Sequence, residues 1–309
     1  MDCKAEETYM IGDRLYRKNE VSNMWLVFAF ASALFAGLTA ILAKIGIKNT
    51  DSGVATAIRT IVILIFSWIM VFVTKSTQPI CDIEMKPIIF LILSGIATGA
   101  SWLCYFKALQ LGDVNKVTPI DKSSTVLTML LAFVILGEEL SMTRIISMAA
   151  IGVGTLLMIT KKETADTRAN GKGWLFYAVL SALFASLTAI LGKIGITGIS
   201  SNLGTAIRTI VVLVMAWLVV FVTGKQKEVK KIDQKSLFYI CLSGMTTGLS
   251  WLCYYRALQD GDAGIVVPID KLSIVVTIAF SYFVLKEKLT KKAFIGFLIM
   301  VAGTFLLLV

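Results

Sequence analysis

The chain is 309 residues long, 57% hydrophobic and only 16% charged, with five cysteines and no histidine, and its mean hydropathy is +0.81. Soluble domains sit nearer half apolar and a quarter charged, so the composition excludes a soluble protein and points to an all-α integral membrane chain. Lysine and arginine outnumber aspartate and glutamate by 30 to 20, but the excess lies in short runs such as GKQKEVKKIDQK, a pattern of cytoplasmic loops and not of a nucleic-acid binder.

Residues 1–23 read as a polar tail without the apolar core of a signal peptide. Five apolar stretches follow, about Trp25–Ile47, Gly53–Thr74, Pro87–Leu109, Val117–Leu136 and Thr143–Thr160. The polar linker KKETADTRANGKG occupies residues 161–173. Five more stretches succeed it, about Trp174–Ile196, Asn202–Thr223, Ser236–Leu258, Val266–Leu285 and Lys292–Val309. Each has roughly 18–24 residues, enough to cross a bilayer as a helix.

The two units are residues 24–160 and 174–309, and a shift of 149 residues lays 25–160 onto 174–309 without a gap, with roughly 63 identities over 136 positions. SALFAGLTAILAKIGI meets SALFASLTAILGKIGI, TAIRTIVIL meets TAIRTIVVL, and PIDKSS meets PIDKLS. This is a tandem duplication. Five passes per unit is odd, and the linker is too short and polar to cross lipid. The second unit is therefore expected to insert upside down, giving ten transmembrane helices as two inverted-topology repeats, a recurring plan of secondary transporters. With the amino terminus outside, fifteen Lys and Arg fall on the cytoplasmic side against seven outside. The positive-inside rule thus places both termini outside the cell membrane.

Embedded charge recurs in both units. The first carries Lys44, Arg59, Lys107, Asp121 and Lys122; the second carries Lys193, Arg208, Arg256, Asp270 and Lys271. One reading is helix capping and snorkelling: Pro119 suits a first helical turn, Asp121 suits that positive end, and Lys44 and Lys107 can reach the surface. Arg59 and Arg208 lie about six residues inside their helices, roughly 9 Å deep, where a charge marks a polar cavity or a partner. The sharper expectation is a gate near each face, with Asp121 paired to Arg59 or Lys44 and Asp270 to its own cluster. Protonation of Asp121 or Asp270 then couples transport to a proton gradient.

The third stretch of each unit supplies cavity candidates. Ser94, Thr98, Ser101 and Tyr105 share a helix face, as do Ser243, Thr247, Ser250 and Tyr254. Trp102 and Trp251 flank it and either stack on substrate or fill core space. Gly95 with Gly99, and Gly244 with Gly248, form GxxxG, read as close helix packing. Cys104 and Cys253 sit in apolar stretches as small hydrophobes. The cysteines argue against a disulfide framework, and without histidine no metal site and no cofactor is expected.

The SALFAGLTAILAKIGI helix, the GxxYxxAL shape within GASWLCYFKALQLGD, and the helix ending FVILGEEL resemble the EamA family of the drug/metabolite transporter superfamily, as two fused five-helix units. In the second unit FVLKEKL replaces the glycine with Lys286. The resemblance implies a ten-helix carrier of small metabolites or drugs, commonly an exporter, with a cavity between the repeats. The reading is a secondary active transporter working by alternating access, not an enzyme, with a small-molecule substrate, lipid bilayer and protons as partners, as a monomer or homodimer. The alternative is a passive channel or uniporter, or a lipid-linked-sugar flippase of the same fold. An aspartyl-protease dyad of Asp121 and Asp270 is disfavoured, because inversion is expected to put the two near opposite faces.

Overall fold

A computed structural model describes residues 24–43, 45–46, 50–76, 83–111, 117, 120–158, 173–283 and 290–308. Among the described residues the ordered elements are helices. In chain order they are α1 (Met24–Ala43), α2 (Ser52–Val73), α3 (Met85–Leu111), α4 (Ser124–Leu136), α5 (Met142–Met158), α6 (Gly173–Gly195), α7 (Ser201–Val222), α8 (Gln234–Asp260), α9 (Ala263–Lys271), α10 (Ser273–Phe283) and α11 (Lys291–Leu306). In lipid every backbone polar group must be bonded within the chain, and helices do this locally. Their outward faces are apolar: Phe72, Val134, Phe176, Val214 and Phe221 are all more than half exposed.

Each of the ten expected stretches coincides with helix, but among the described residues six helices are long and apolar enough to cross a membrane: α1, α2, α3, α6, α7 and α8. The fifth and tenth are shorter, 17 and 16 residues. The fourth stretch of each repeat is broken. In the second it forms α9 and α10, with a turn at Leu272 between them. In the first, residues 120–122 are helical, the chain turns at Ser123, and α4 begins at Ser124.

The ends are set by local chemistry. Asp51 caps α2, accepting from the N–H of Gly53 (2.9 Å) and Val54 (3.2 Å). Asp233 caps α8 at Ser236, whose side chain and N–H hold the Asp233 carboxyl below the usual carboxylate range. Gly137 ends α4 at φ 69°, a left-handed position that glycine takes without a Cβ penalty.

Equivalent helices of the two repeats run antiparallel. Lys225, past the end of α7, pairs with Asp51 at the start of α2 (3.8 Å), and Asn202 at the start of α7 donates to Thr74 at the end of α2 (3.0 Å). Helices α5 and α11 cross the same way: Gly154 lies against Gly296, while Gly303 lies against Ser147 and Ala150. A Cβ at Gly154 would sit 2.6 Å from the Gly296 oxygen, so only glycine lets these backbones meet. The GxxxG glycines pack as expected, with Gly95 and Gly99 receiving Val211 and Met215 of α7, and Gly244 and Gly248 receiving Val62 and Phe66 of α2. The main core, including Leu91, Ile190, Leu203, Tyr255, Val266 and Ile269, draws on both repeats.

Candidate functional site: a cavity shared by the repeats

The PIDK motif lies at the break of the fourth stretch, not at its mouth. Pro268 is inside α9, and Asp270 and Lys271 are its last residues. The α9–α10 pair runs from Ala263 to Phe283, so Asp270 sits close to its middle. The sequence reading therefore errs in giving the aspartate to a first helical turn: Asp121 likewise precedes the turn at Ser123, while Pro119 lies outside the described residues. Proline has no N–H, so Gly264 loses its helical donor. Beyond it Leu272 bonds to the Ile269 carbonyl, a tightened turn (2.9 Å), and Ser123 repeats this with Ile120 (3.2 Å). Such tightened turns inside a helix mark hinges.

An anion near a helix C-terminus opposes the helix dipole, and each aspartate has a donor to offset this. Ser32 on α1 donates to Asp270 Oδ1 (2.6 Å), and Ser181 on α6 donates to Asp121 Oδ1 (2.9 Å). Both bonds cross between repeats. Lys271 and Lys122 stand 3.9 Å from the carboxylates beside them. Lys122 also lies within electrostatic range of Lys271. Each carboxylate takes its hydrogen bond from a serine and not from the other aspartate, the opposite of a proton-sharing dyad.

The expected bond from Asp121 to Arg59 is not formed. Among the described residues Arg59 Nε is buried without a hydrogen-bond partner. Lys44 lies outside the described residues. Arg208, 3% exposed, turns to hydroxyls and rings in place of an anion. Its Nε donates to Ser94 Oγ (2.9 Å) and its Nη2 to Thr98 Oγ1 (2.6 Å), with Cζ 5.1 Å from the Trp251 ring and 5.2 Å from that of Tyr255. Lys193 is elsewhere, at the end of α6, 3.6 Å from Glu138.

A cavity of about 370 Å³ lies among α1, α3, α4, α6, α7, α8 and α9. Its walls hold five pairs of repeat equivalents: Ala36 and Ala185, Thr39 and Thr188, Thr98 and Thr247, Ser101 and Ser250, Trp102 and Trp251. Of the cavity candidates, Thr98, Ser101, Trp102, Thr247, Ser250, Trp251 and Tyr254 line it. Ser94 and Ser243 are buried beside it, and Tyr105 packs near Val117 and Ala178. Of the gating candidates, Arg208, Asp270 and Lys271 line it; Asp121, Lys122, Arg59 and Lys193 are not in the lining. Sequence reasoning missed Ser124, Thr125 and Thr128 on α4, and the stripe Ser32, Ala36, Thr39 with its copy Ser181, Ala185, Thr188. The signal was there: a small or hydroxyl residue at i, i+4 and i+7 in an otherwise greasy helix.

A chain with several long apolar helices, packed as two repeats around a polar cavity of solute size, is a multi-pass membrane protein of transporter type. It belongs to the EamA-like transporter family, whose model matches residues 23–160 and again 172–309. It is 43% identical over 138 residues to an uncharacterised transporter from the cobO 3′ region of a Sinorhizobium species, covering 45% of this chain and 98% of that one. That relative is thus about one repeat long. An uncharacterised transporter of Archaeoglobus fulgidus is 23% identical over 286 residues, covering 92% of this chain and 97% of that one. A protein of known crystal structure, 13% identical, superposes with a TM-score of 0.75 over 92% of this chain and 97% of its own, which bears on the fold alone.

Proposed function

We propose that the protein is a secondary active transporter that carries a small metabolite or drug across the cell membrane, outward, by alternating access, with ten passes arranged as two inverted repeats. One observation carries this reading: the cavity is walled by equivalent residues of two repeats whose equivalent helices run antiparallel. Such a cavity presents the same wall to either side of the bilayer when the repeats exchange conformations. Its volume, about 370 Å³, suits a small solute. Arg208 and Lys271 against Asp270 favour an anionic or zwitterionic one, with hydroxyls for polar contacts and Trp102 and Trp251 for a flat apolar part.

Coupling to protons rests on the two aspartates. Each accepts a bond from a serine of the other repeat. Protonation removes the charge that this bond and the adjacent lysine stabilise, loosening a contact between the moving halves. The test is a solute screen on purified protein in liposomes with an imposed pH gradient. Saturable uptake that follows the gradient is expected, and its dependence on the gradient should vanish in Asp121→Asn and Asp270→Asn. Normal transport by both variants at every pH overturns the coupling. Flux without saturation or counter-transport favours the passive channel.

A further inference from the structure

Arg208 and Arg59 hold equivalent places in the two repeats, yet their surroundings differ. Arg208 of the second repeat reaches Ser94 and Thr98 of the first. The equivalent acceptors for Arg59 are Ser243 and Thr247 of the second repeat. The backbones there are as close as on the Arg208 side: a Cβ at Gly244 would lie 2.8 Å from Val62 Cβ, and one at Gly95 2.7 Å from Val211 Cβ. Even so, among the described residues Arg59 Nε and Ser243 Oγ are both buried without a partner, whereas Arg208 is bonded through Nε and Nη2 and leaves only Nη1 unpartnered. A donor and an acceptor that match across a packed boundary, both left unbonded, form a costly arrangement that native structures avoid unless it serves a purpose. The cavity is skewed the same way, lined by Arg208, Asp270 and Lys271 but not by Arg59, Asp121 and Lys122.

We propose that Arg208 and Arg59 are alternating latches. In the conformation described, Arg208 ties α7 to α3 and shuts the face that carries Asn202 and Thr74. In the opposite conformation Arg59 ties α2 to α8 through Ser243 and Thr247, shuts the face that carries Asp51 and Lys225, and Arg208 lets go. The proposal rests on the alternating-access reading and names the residues that exchange. Two chemically identical latches make the two states close in free energy, which exchange requires. Neutral hydroxyl acceptors suit the task, because a guanidinium buried against a carboxylate is far costlier to part.

The test is side-specific labelling, which needs no solute. Ser124 lines the cavity and is partly exposed, so Ser124→Cys, in a chain whose five native cysteines are replaced by serine, reports access to it. In liposomes, a membrane-impermeant maleimide is applied from one side, and orientation is scored by a second cysteine at Thr197 in a parallel sample. Arg208→Ala, which loses two charge-assisted hydrogen bonds, should raise labelling from the Asn202–Thr74 face by at least roughly tenfold. Arg59→Ala should lower it, and Ser94→Asp, which gives Arg208 an anionic acceptor, should abolish it. The milder Ser94→Ala and Ser243→Ala should shift labelling in opposite directions, and they decide the matter where an arginine variant fails to fold. Equal shifts, or none, for the two members of a pair overturn the latches. Transport with unchanged labelling overturns the latches alone; switched labelling with no solute carried upholds them and overturns the transport reading.

Discussion

Glu138 offers a sharp test of the packing at one end of the bundle. Its carboxylate is 8% exposed and lies 3.6 Å from Lys193 Nζ. Oε1 accepts from the N–H of Ala263 (2.6 Å) and Oε2 from that of Gly264 (2.9 Å), capping the N-terminus of α9 from a different repeat. Lys193 in turn donates to the Gly261 carbonyl, and Arg144 pairs with Asp262 beside it (2.6 Å). A hydrogen bond to a charged group contributes about 1.5–3 kcal/mol, and removing one partner of a buried pair costs about 3–5 kcal/mol. Glu138→Gln keeps one oxygen and should lose about 1.5–3 kcal/mol. Glu138→Ala loses both bonds and the ion pair, leaving Lys193, among the described residues, only the Gly261 carbonyl, for about 3–5 kcal/mol. At about 2–4 °C per kcal/mol for a chain somewhat smaller than this one, both fall within reach of a thermal melt in detergent. Glu138→Ala and Lys193→Ala should be non-additive by at least about 0.5 kcal/mol, the least coupling expected of residues in contact. Gly264→Ala supplies a third arm, because its Cβ would lie 2.9 Å from Oε2 and displace the carboxylate. A Glu138→Gln protein as stable as the wild type, with additive Glu138 and Lys193 effects, would refute the cap.

Paired cysteines at Asp51 and Lys225, and at Thr74 and Asn202, should cross-link within one chain, as gel mobility would register; failure of both contradicts the antiparallel α2–α7 contact. Gly154→Leu should destabilise by more than the usual 1–3 kcal/mol of overpacking, because the added Cβ meets backbone at 2.6 Å. Gly152→Ala, on the same helix but 3.3 Å from a Val126 methyl, should melt close to the wild type.

Much of the architecture was legible because it is periodic. The duplication, the helical stretches and the odd number per unit lead to opposed repeats without any structure, and Asp51 with Lys225 and Thr74 with Asn202 answer to that reasoning. The hydroxyl face of α3 and α8 was legible too, since three- and four-residue spacing survives folding. The break at PIDK was not. An unbroken apolar run shows no seam, and a proline near its front suits a first turn as well as a hinge. The partners of Arg208 were hidden for another reason. Charge suggests an opposite charge, whereas Arg208 finds hydroxyls 110 and 114 positions away, in the other repeat. Glu138 was quoted only as part of a helix ending; its acceptor role depends on a helix start 125 positions later.

The likeness between the halves is uneven, and the unevenness follows the cavity. Ser32–Ile47 and its copy share 14 of 16 residues, whereas residues 141–160 and 290–309 share 4 of 20. The first pair supplies Ala36, Thr39 and their equivalents to the cavity wall. The second pair, α5 and α11, supplies none of the lining and packs largely on itself. A static crossing needs small residues where backbones touch, and Gly154 with Gly303 is among the few identities kept there. A wall that serves from both sides of a bilayer is constrained further. Each wall residue must do in one conformation what its equivalent does in the other, so a change in one copy unbalances the pair. Identity at Thr39, Thr98, Ser101 and Trp102 and their copies fits the proposed exchange between two states of nearly equal free energy, although the lining residues Thr125, Tyr255 and Val267 have Ile274, Phe106 and Thr118 as their equivalents.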